Sequence, residues 1–218
     1  MTWQIFERSA ANYEAWYATR RGRRADAAER RLLLDLLDEF RGARTVLEIG
    51  CGTGHFAAFL ARQGFSVVGV DRAPAMLAEA RRRFSLLPVV LADAHRLPFR
   101  DKSADLSVFV TTLEFLEDPA CALREAVRIA RQGVIAVALN RYSLGGVSRR
   151  WGLQSRGALL SLARDYSPAE LRLGLEYAAG ARWAGTLCAS TLLPGRLSQV
   201  LSRFSLGEVI GCALRLKV

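Results

Sequence analysis

Lysine is nearly missing from this chain. Only Lys102 and Lys217 occur among 31 basic side chains, and the rest are arginine. Histidine is limited to His55 and His95, and the four cysteines, Cys51, Cys121, Cys188 and Cys212, form no C-x-x-C pair. No metal-ligand spacing exists, so no metal is expected. No apolar run approaches the roughly 18 residues a membrane-spanning helix needs. The N-terminal stretch Met1-Thr-Trp-Gln-Ile-Phe6 has no basic segment leading into an apolar one, so it does not read as a secretion signal. These absences predict a protein of the reducing cytoplasm without a transmembrane segment. Repeats and low-complexity segments are lacking too.

What the sequence has in quantity is apolar residues and arginine. A hydrophobic content of 51% over 218 residues is ample for one large α/β core. The formal charge of +10 would attract nucleic acid, anionic lipid or an acidic substrate. The joint excess of arginine, alanine and leucine reads equally as a coding bias.

The stretch Val46-Leu-Glu-Ile-Gly-Cys-Gly-Thr-Gly-His-Phe56 organises the chain. Thr45 to Ile49 reads as a buried strand that enters the turn Gly50-Cys51-Gly52-Thr53-Gly54, with a helix opening near His55. Glycines at alternate positions let backbone approach a ligand where a Cβ would clash. Free N–H groups at the helix start point at whatever sits there. About 20 residues later a second strand, Ser66 to Val70, ends in Asp71. A carboxylate at the tip of the next parallel strand can accept both ribose hydroxyls of a nucleoside.

The rest of the chain extends this pattern. Residues 1 to 24 collect Trp3, Phe6, Tyr13, Trp16 and Tyr17, then Arg20-Arg21-Gly22-Arg23-Arg24. Tyr13 and Trp16, three apart, share a helical face and either cover the core edge or form a lid. Asp26-Ala-Ala-Glu29 reads as a capping box that starts a helix carrying Leu33, Leu36, Leu37 and Phe40. Beyond the glycine turn, helices are expected over 57–63, 75–84 and 120–130, and strands over 88–91, 105–110 and 134–139. This alternation demands a parallel, doubly wound sheet with right-handed crossovers. Gly50, Asp71, Asp93 and Thr111 then fall on successive carboxyl-end strand tips, where such sheets bind ligands. Ser167-Pro168-Ala169-Glu170 is a helix start, and residues 181–190 and 207–217 read as a closing antiparallel pair. Residues 197–204 read as a short helical or irregular excursion.

Glu48-x-Gly50-x-Gly52-x-Gly54 after an apolar strand, followed by Val70-Asp71, resembles the cofactor site of class I S-adenosylmethionine-dependent methyltransferases. The third glycine comes one residue earlier than in the dinucleotide G-x-G-x-x-G loop. Leu91-Ala-Asp-Ala-His-Arg-Leu-Pro-Phe99, Ala104-Asp105-Leu106 and Leu116-Glu-Asp-Pro-Ala-Cys-Ala-Leu-Arg-Glu125 resemble the small-molecule (methyltransferase type 11-like) subgroup. Residues 3–24 and Asn140-Arg-Tyr-Ser-Leu144 resemble a bacterial branch of it, some members of which carry amine N-methyltransferase labels. Arg131-Gln132-Gly133 departs from the Pro-Gly-Gly turn that usually precedes strand five.

The resemblance implies a Rossmann-like mixed sheet of about seven strands in one domain, residues 1–218. Within it, 1–42 would be an N-terminal helical lid, 43–140 the cofactor core and 141–218 the substrate-side, sheet-closing region. It implies S-adenosylmethionine bound by Tyr13, Glu48, Gly50, Cys51, Gly52, Gly54, Asp71, Arg72, Met76, Asp93, Ala94, Val110 and Thr111. Glu48 would orient the cofactor's amine, Asp71 the ribose, Asp93 and Ala94 the adenine. Glu114 is the acidic candidate near the methyl group, to hold a cationic amine or take a proton. Trp16, Arg23, Tyr142 and Trp151 are substrate-side candidates. The expected function is methyl transfer to a small molecule, an amine among the options. An RNA methyltransferase and a non-catalytic cofactor-binding protein are the alternatives. The RNA option is disfavoured because no Asn-Pro-Pro-Tyr-like motif follows strand four.

Overall fold

A computed structural model describes residues 3–143, 163–190 and 207–217. Five parallel strands lie at its centre: β1 (Thr45–Ile49), β2 (Ser66–Asp71), β3 (Val89–Leu91), β4 (Ala104–Val110) and β5 (Ala130–Leu139). β6 (Trp183–Ser190) and β7 (Val209–Leu216) complete a seven-stranded sheet in the order β3-β2-β1-β4-β5-β7-β6, with β7 antiparallel to both its neighbours. All seven residues of β4 are buried, as a central strand covered on both faces requires.

One face is covered by α6 (Pro119–Ile129) and α7 (Pro168–Ala179), with Leu123, Val127, Leu171 and Leu175 in its core. The other is covered by α3 (Arg20–Leu37) and α4 (His55–Arg62), through Leu33, Leu36, Phe56 and Leu60. α5 (Pro74–Arg83) follows β2, and α1 (Trp3–Tyr13) packs onto it through Ala10, Ala73 and Met76. The four-residue α2 (Ala15–Ala18) joins α1 to α3. The expected helix start at Ser167 is present as a reciprocal capping box with Glu170.

Three local expectations are corrected. Asp26 does not open a helix: α3 begins six residues earlier, at Arg20, capped by the Thr19 hydroxyl accepting from the Gly22 N–H at 3.0 Å. Asp26 and Glu29 therefore sit inside α3. Strand five begins at Ala130, not Val134, so Arg131-Gln132-Gly133 is strand rather than turn. Gly133 answers a packing need there, since a Cβ would lie 2.2 Å from the Phe40 ring. Finally, Cys188 and Cys212 face each other across β6 and β7 and form a disulfide, Cα–Cα 4.2 Å. Their separation of 24 residues hid the pair from any local spacing rule. The expected excursion over 197–204 lies outside the described residues, as does most of the segment that follows β5.

Candidate active site

The carboxyl ends of β1, β2, β3 and β4 open into one concave cavity. Its floor is the glycine turn. Gly50 has φ +76°, and a Cβ on it would lie 2.1 Å from Thr112. Gly52 has φ +52° and open space where its Cβ would be, so its bare backbone faces a ligand. Gly54, in the left-handed region, caps α4 and, against expectation, does not line the cavity: a Cβ there would point at Leu87, 2.9 Å away.

Two carboxylates stand on this floor. Asp71, at the tip of β2, accepts from the Gly52 N–H at 2.8 Å and the Ala73 N–H at 2.9 Å through different oxygens. Each oxygen keeps acceptor capacity for a further donor. Burial pushes its carboxyl above the ordinary range despite those N–H groups. Glu48 is 2% exposed, and its Oε2 has no hydrogen-bond partner. Burial, aided by the Asp71 charge, pushes it up to about 8. A buried carboxyl with one unpartnered oxygen beside an open cavity calls for a cationic or hydrogen-bonding ligand. Both groups fit a nucleoside-bearing amino acid: Asp71 suits a ribose diol and Glu48 an ammonium group.

The far wall carries Asp93. Burial pushes its pKa up, but the His95 backbone and ring N–H groups, with the Arg72 charge, outweigh that and hold it below the usual carboxylate range. His95 Nδ1 lies 2.6 Å from Asp93 Oδ1, and Nε2 accepts from the Asp118 N–H at 3.2 Å. That acceptor role assigns the ring proton to Nδ1, donated to Asp93. Arg72 reaches Asp93 and Glu117, each at 3.4 Å, and lies over the Trp3 ring at 5.6 Å. Met76, Ala94, Val110 and Thr111 line the same cavity, as does Cys51, whose thiol burial pushes well up. Thr111 has φ +47°, which turns the chain sharply at the end of β4.

The N-terminal helices form the roof. Tyr13 lines the cavity, but its expected partner Trp16 does not: Trp16 is 41% exposed and packs on the outer side of Tyr17. Tyr17 takes the inner place, 6.1 Å from Tyr13 and stacked on His55 at 4.0 Å. Glu14, between α1 and α2, keeps right-handed helical dihedrals, so the four-residue step from Tyr13 to Tyr17 stays on one helical face. Glu14 fastens the roof, accepting from the Thr53 hydroxyl and pairing with Arg83 at 2.6 Å. His55 Nε2 meets Asp26 of α3 at 2.7 Å. Sequence reasoning missed Tyr17, His55 and Glu14. The four-residue step from Tyr13 to Tyr17 was the available signal.

Three further expected site residues stand elsewhere. Arg23 is on the exposed side of α3, donating to the Ala18 carbonyl. Tyr142 is 55% exposed and does not line the cavity. Glu114 is neither solvent-facing nor on the cavity wall: it is 3% exposed, and its Oε1 accepts from the Leu139 N–H at 2.6 Å at the end of β5. The left-handed Thr111 and the 3-10 turn Leu113–Phe115 aim it back under the sheet edge. Trp151 lies outside the described residues. Among the described residues no cluster of His, Cys, Asp and Glu could hold a metal, and no helix is long and apolar enough to cross a membrane.

Comparison with known proteins meets this geometry at the cofactor half. Residues 47–138 match the family model described as a methyltransferase domain. The malonyl-[acyl-carrier protein] O-methyltransferase of Serratia marcescens is 33% identical over 128 residues, covering 59% of this chain and 48% of that protein. The demethylmenaquinone methyltransferase of Beutenbergia cavernae is 39% identical over 108 residues, covering 50% and 45%. The chain thus spans about half the length of these curated relatives. A SAM-dependent methyltransferase of Thermotoga maritima, named a possible histamine N-methyltransferase, superposes with a TM-score of 0.73 at 26% identity, covering 100% of both chains. Likeness of sequence through the cofactor half and of fold from end to end converge: residues 47–138 are a methyltransferase domain, and the whole chain has the fold of an S-adenosylmethionine-dependent methyltransferase.

Proposed function

We propose that this protein transfers the methyl group of S-adenosylmethionine to a small molecule bound under its N-terminal helices. The observation that carries this reading is the cavity joining Gly52, Asp71 and Asp93, donors and acceptors from three strand ends, with the buried Glu48 and its unpartnered Oε2 among them. Asp71 holds the ribose, Glu48 the amine, and Asp93 with Ala94 the adenine. Bound there, the cofactor supplies an electrophilic methyl on a good leaving group. The protein's share is to align the acceptor with that methyl and to exclude water. Tyr13, Tyr17, Phe6 and Phe115 supply an aromatic wall on the roof side, suited to a sulfonium cation. In this reading residues 1–42 are the lid of a single domain.

The relatives' names divide over the acceptor: one refers to malonyl-acyl-carrier protein, another to demethylmenaquinone, a third to histamine. The acceptor class must therefore come from this chain's own cavity. The cofactor assignment is tested with Asp71→Asn. It keeps the shape but removes the charge and one acceptor. S-adenosylmethionine affinity is expected to fall tenfold or more, since bonds to a charged acceptor are worth about 1.5–3 kcal/mol. Equal affinity in a folded variant would reject the site.

A further inference from the structure

β3 is the shortest of the four strands whose tips build the cavity. It has three residues, lies at the edge of the sheet and pairs with β2. Asp93, which follows it, therefore stands at the least supported corner of the site. A carboxylate there turns easily about its last side-chain torsion unless something holds it. His95 holds it twice. The His95 backbone N–H donates to Asp93 Oδ1 at 3.0 Å, and ring Nδ1 lies 2.6 Å from the same oxygen.

His95 is itself fastened to a second element. Its Nε2 accepts from the Asp118 N–H at 3.2 Å, and its carbonyl accepts from the Cys121 thiol at 3.4 Å. Asp118 is the N-cap of α6 and accepts from the Cys121 N–H at 2.9 Å. His95 thus braces the tip of β3 against the start of α6, and both His95 and Asp93 line the cavity. The brace is one-sided. Both His95 donors go to Oδ1, while Oδ2 meets the Arg72 guanidinium at 3.4 Å, longer than a charge-assisted hydrogen bond. Oδ2 keeps acceptor capacity for a ligand. Its direction is fixed before any ligand arrives, which removes an ordering cost from binding.

We infer that His95 is a positioning residue: it aims Asp93 so that Oδ2 accepts from the 6-amino group of adenine, and it thereby sets the selectivity of the site for adenine over a 6-oxo purine. The inference rests on the assignment of Asp93 to the adenine under the proposed function and deepens it. A 6-oxo purine presents a carbonyl oxygen where adenine presents an amino group, so two acceptors would face each other. A carboxylate free to turn could instead accept from the neighbouring ring N–H of the 6-oxo purine. A carboxylate held by His95 cannot, and the wrong base leaves it unpaired.

The test uses the full chain, titrated calorimetrically with S-adenosylhomocysteine and with S-inosylhomocysteine, its 6-oxo analogue. The intact protein is expected to prefer the first by about a hundredfold. His95→Phe keeps a ring and the backbone N–H but loses both ring hydrogen bonds. Its preference should fall to about tenfold or less, chiefly through weaker S-adenosylhomocysteine binding. His95→Asn, whose amide can still donate to Asp93, should recover part of it. A purely structural role would weaken both ligands alike, so an unchanged preference in folded His95→Phe overturns this inference alone. Equal binding of the two ligands by the intact protein rejects the adenine assignment, and binding of neither rejects the cofactor reading; the inference falls with either. A second measurement needs no variant. His55 and His95 are the two histidines of the chain, and nitrogen NMR of the isotopically labelled rings in mildly alkaline buffer reports where each proton sits. The His95 proton is expected on Nδ1; a proton on Nε2 would overturn the inference even if His95→Phe failed to fold.

Discussion

Gly50 shows how narrowly the site is specified at the level of single residues. Its φ of +76° excludes most side chains, and Thr112 occupies the place a Cβ would take. Gly50→Ala is expected to cost about 2 kcal/mol or more and to lower the melting temperature by about 5 °C, with loss of cofactor binding. An unchanged melting curve would contradict that geometry. Glu48 and Glu29 carry a second residue-scale consequence. Both carboxyls are pushed up to about 8 in the folded protein, chiefly by burial, against 4.5 for the group in water. Between those values the unfolded chain has lost protons that the folded one keeps, so rising pH favours unfolding. Stability of the ligand-free protein should therefore fall from about pH 5 to pH 8, by at most about 1.4 kcal/mol per pH unit for each carboxyl. Glu48→Gln should flatten this slope in denaturant titrations at pH 5 and pH 8; an identical slope would show the carboxyl is not held neutral by burial. Gly50, Asp71 and Asp93 were legible in the sequence because strand tips fix their direction. Glu114 was not, because a left-handed Thr111 redirects the chain just before it, and no pattern of residue types announced that angle.

At the scale of elements, the sheet was legible and its margins were not. Apolar strands alternating with helices dictated a parallel, doubly wound sheet, and the antiparallel pair at the end was expected; the order β3-β2-β1-β4-β5 is seen only in the structure. The start of β5 was misread because Gly133 looks like a turn until Phe40 is seen packed across it. α3 was misread because Asp26 and Glu29 mimic a cap, whereas Thr19 holds the helix start. That error concealed the buried face of Glu29. The β6–β7 hairpin carries the feature least visible in sequence, the Cys188–Cys212 bond, which departs from the expectation of four reduced thiols. Denatured, unreduced protein should show two thiols, Cys51 and Cys121, and four after reduction. Cys188→Ser with Cys212→Ser should cost about 3 kcal/mol from the freed loop. Four thiols without reductant would show that the pair forms no bond in solution.

At the scale of the whole molecule, the cavity lies between the carboxyl edge of the sheet and the helices α1 to α3. Their closure depends on Glu14, His55 and Asp26 rather than on the arginine cluster. The +10 charge is carried by arginines such as Arg20, Arg23 and Arg24 on the exposed side of α3, away from the cavity. A site sunk beneath aromatic side chains matches a small acceptor better than a nucleic acid strand, which needs an open basic track. The central claim is that this cavity holds S-adenosylmethionine. Calorimetric titration of the intact chain with S-adenosylmethionine and S-adenosylhomocysteine, with NAD as control, tests it most directly. Micromolar binding of the first two and none of NAD is the predicted result; absence of binding by either, or comparable binding of NAD, would contradict the account.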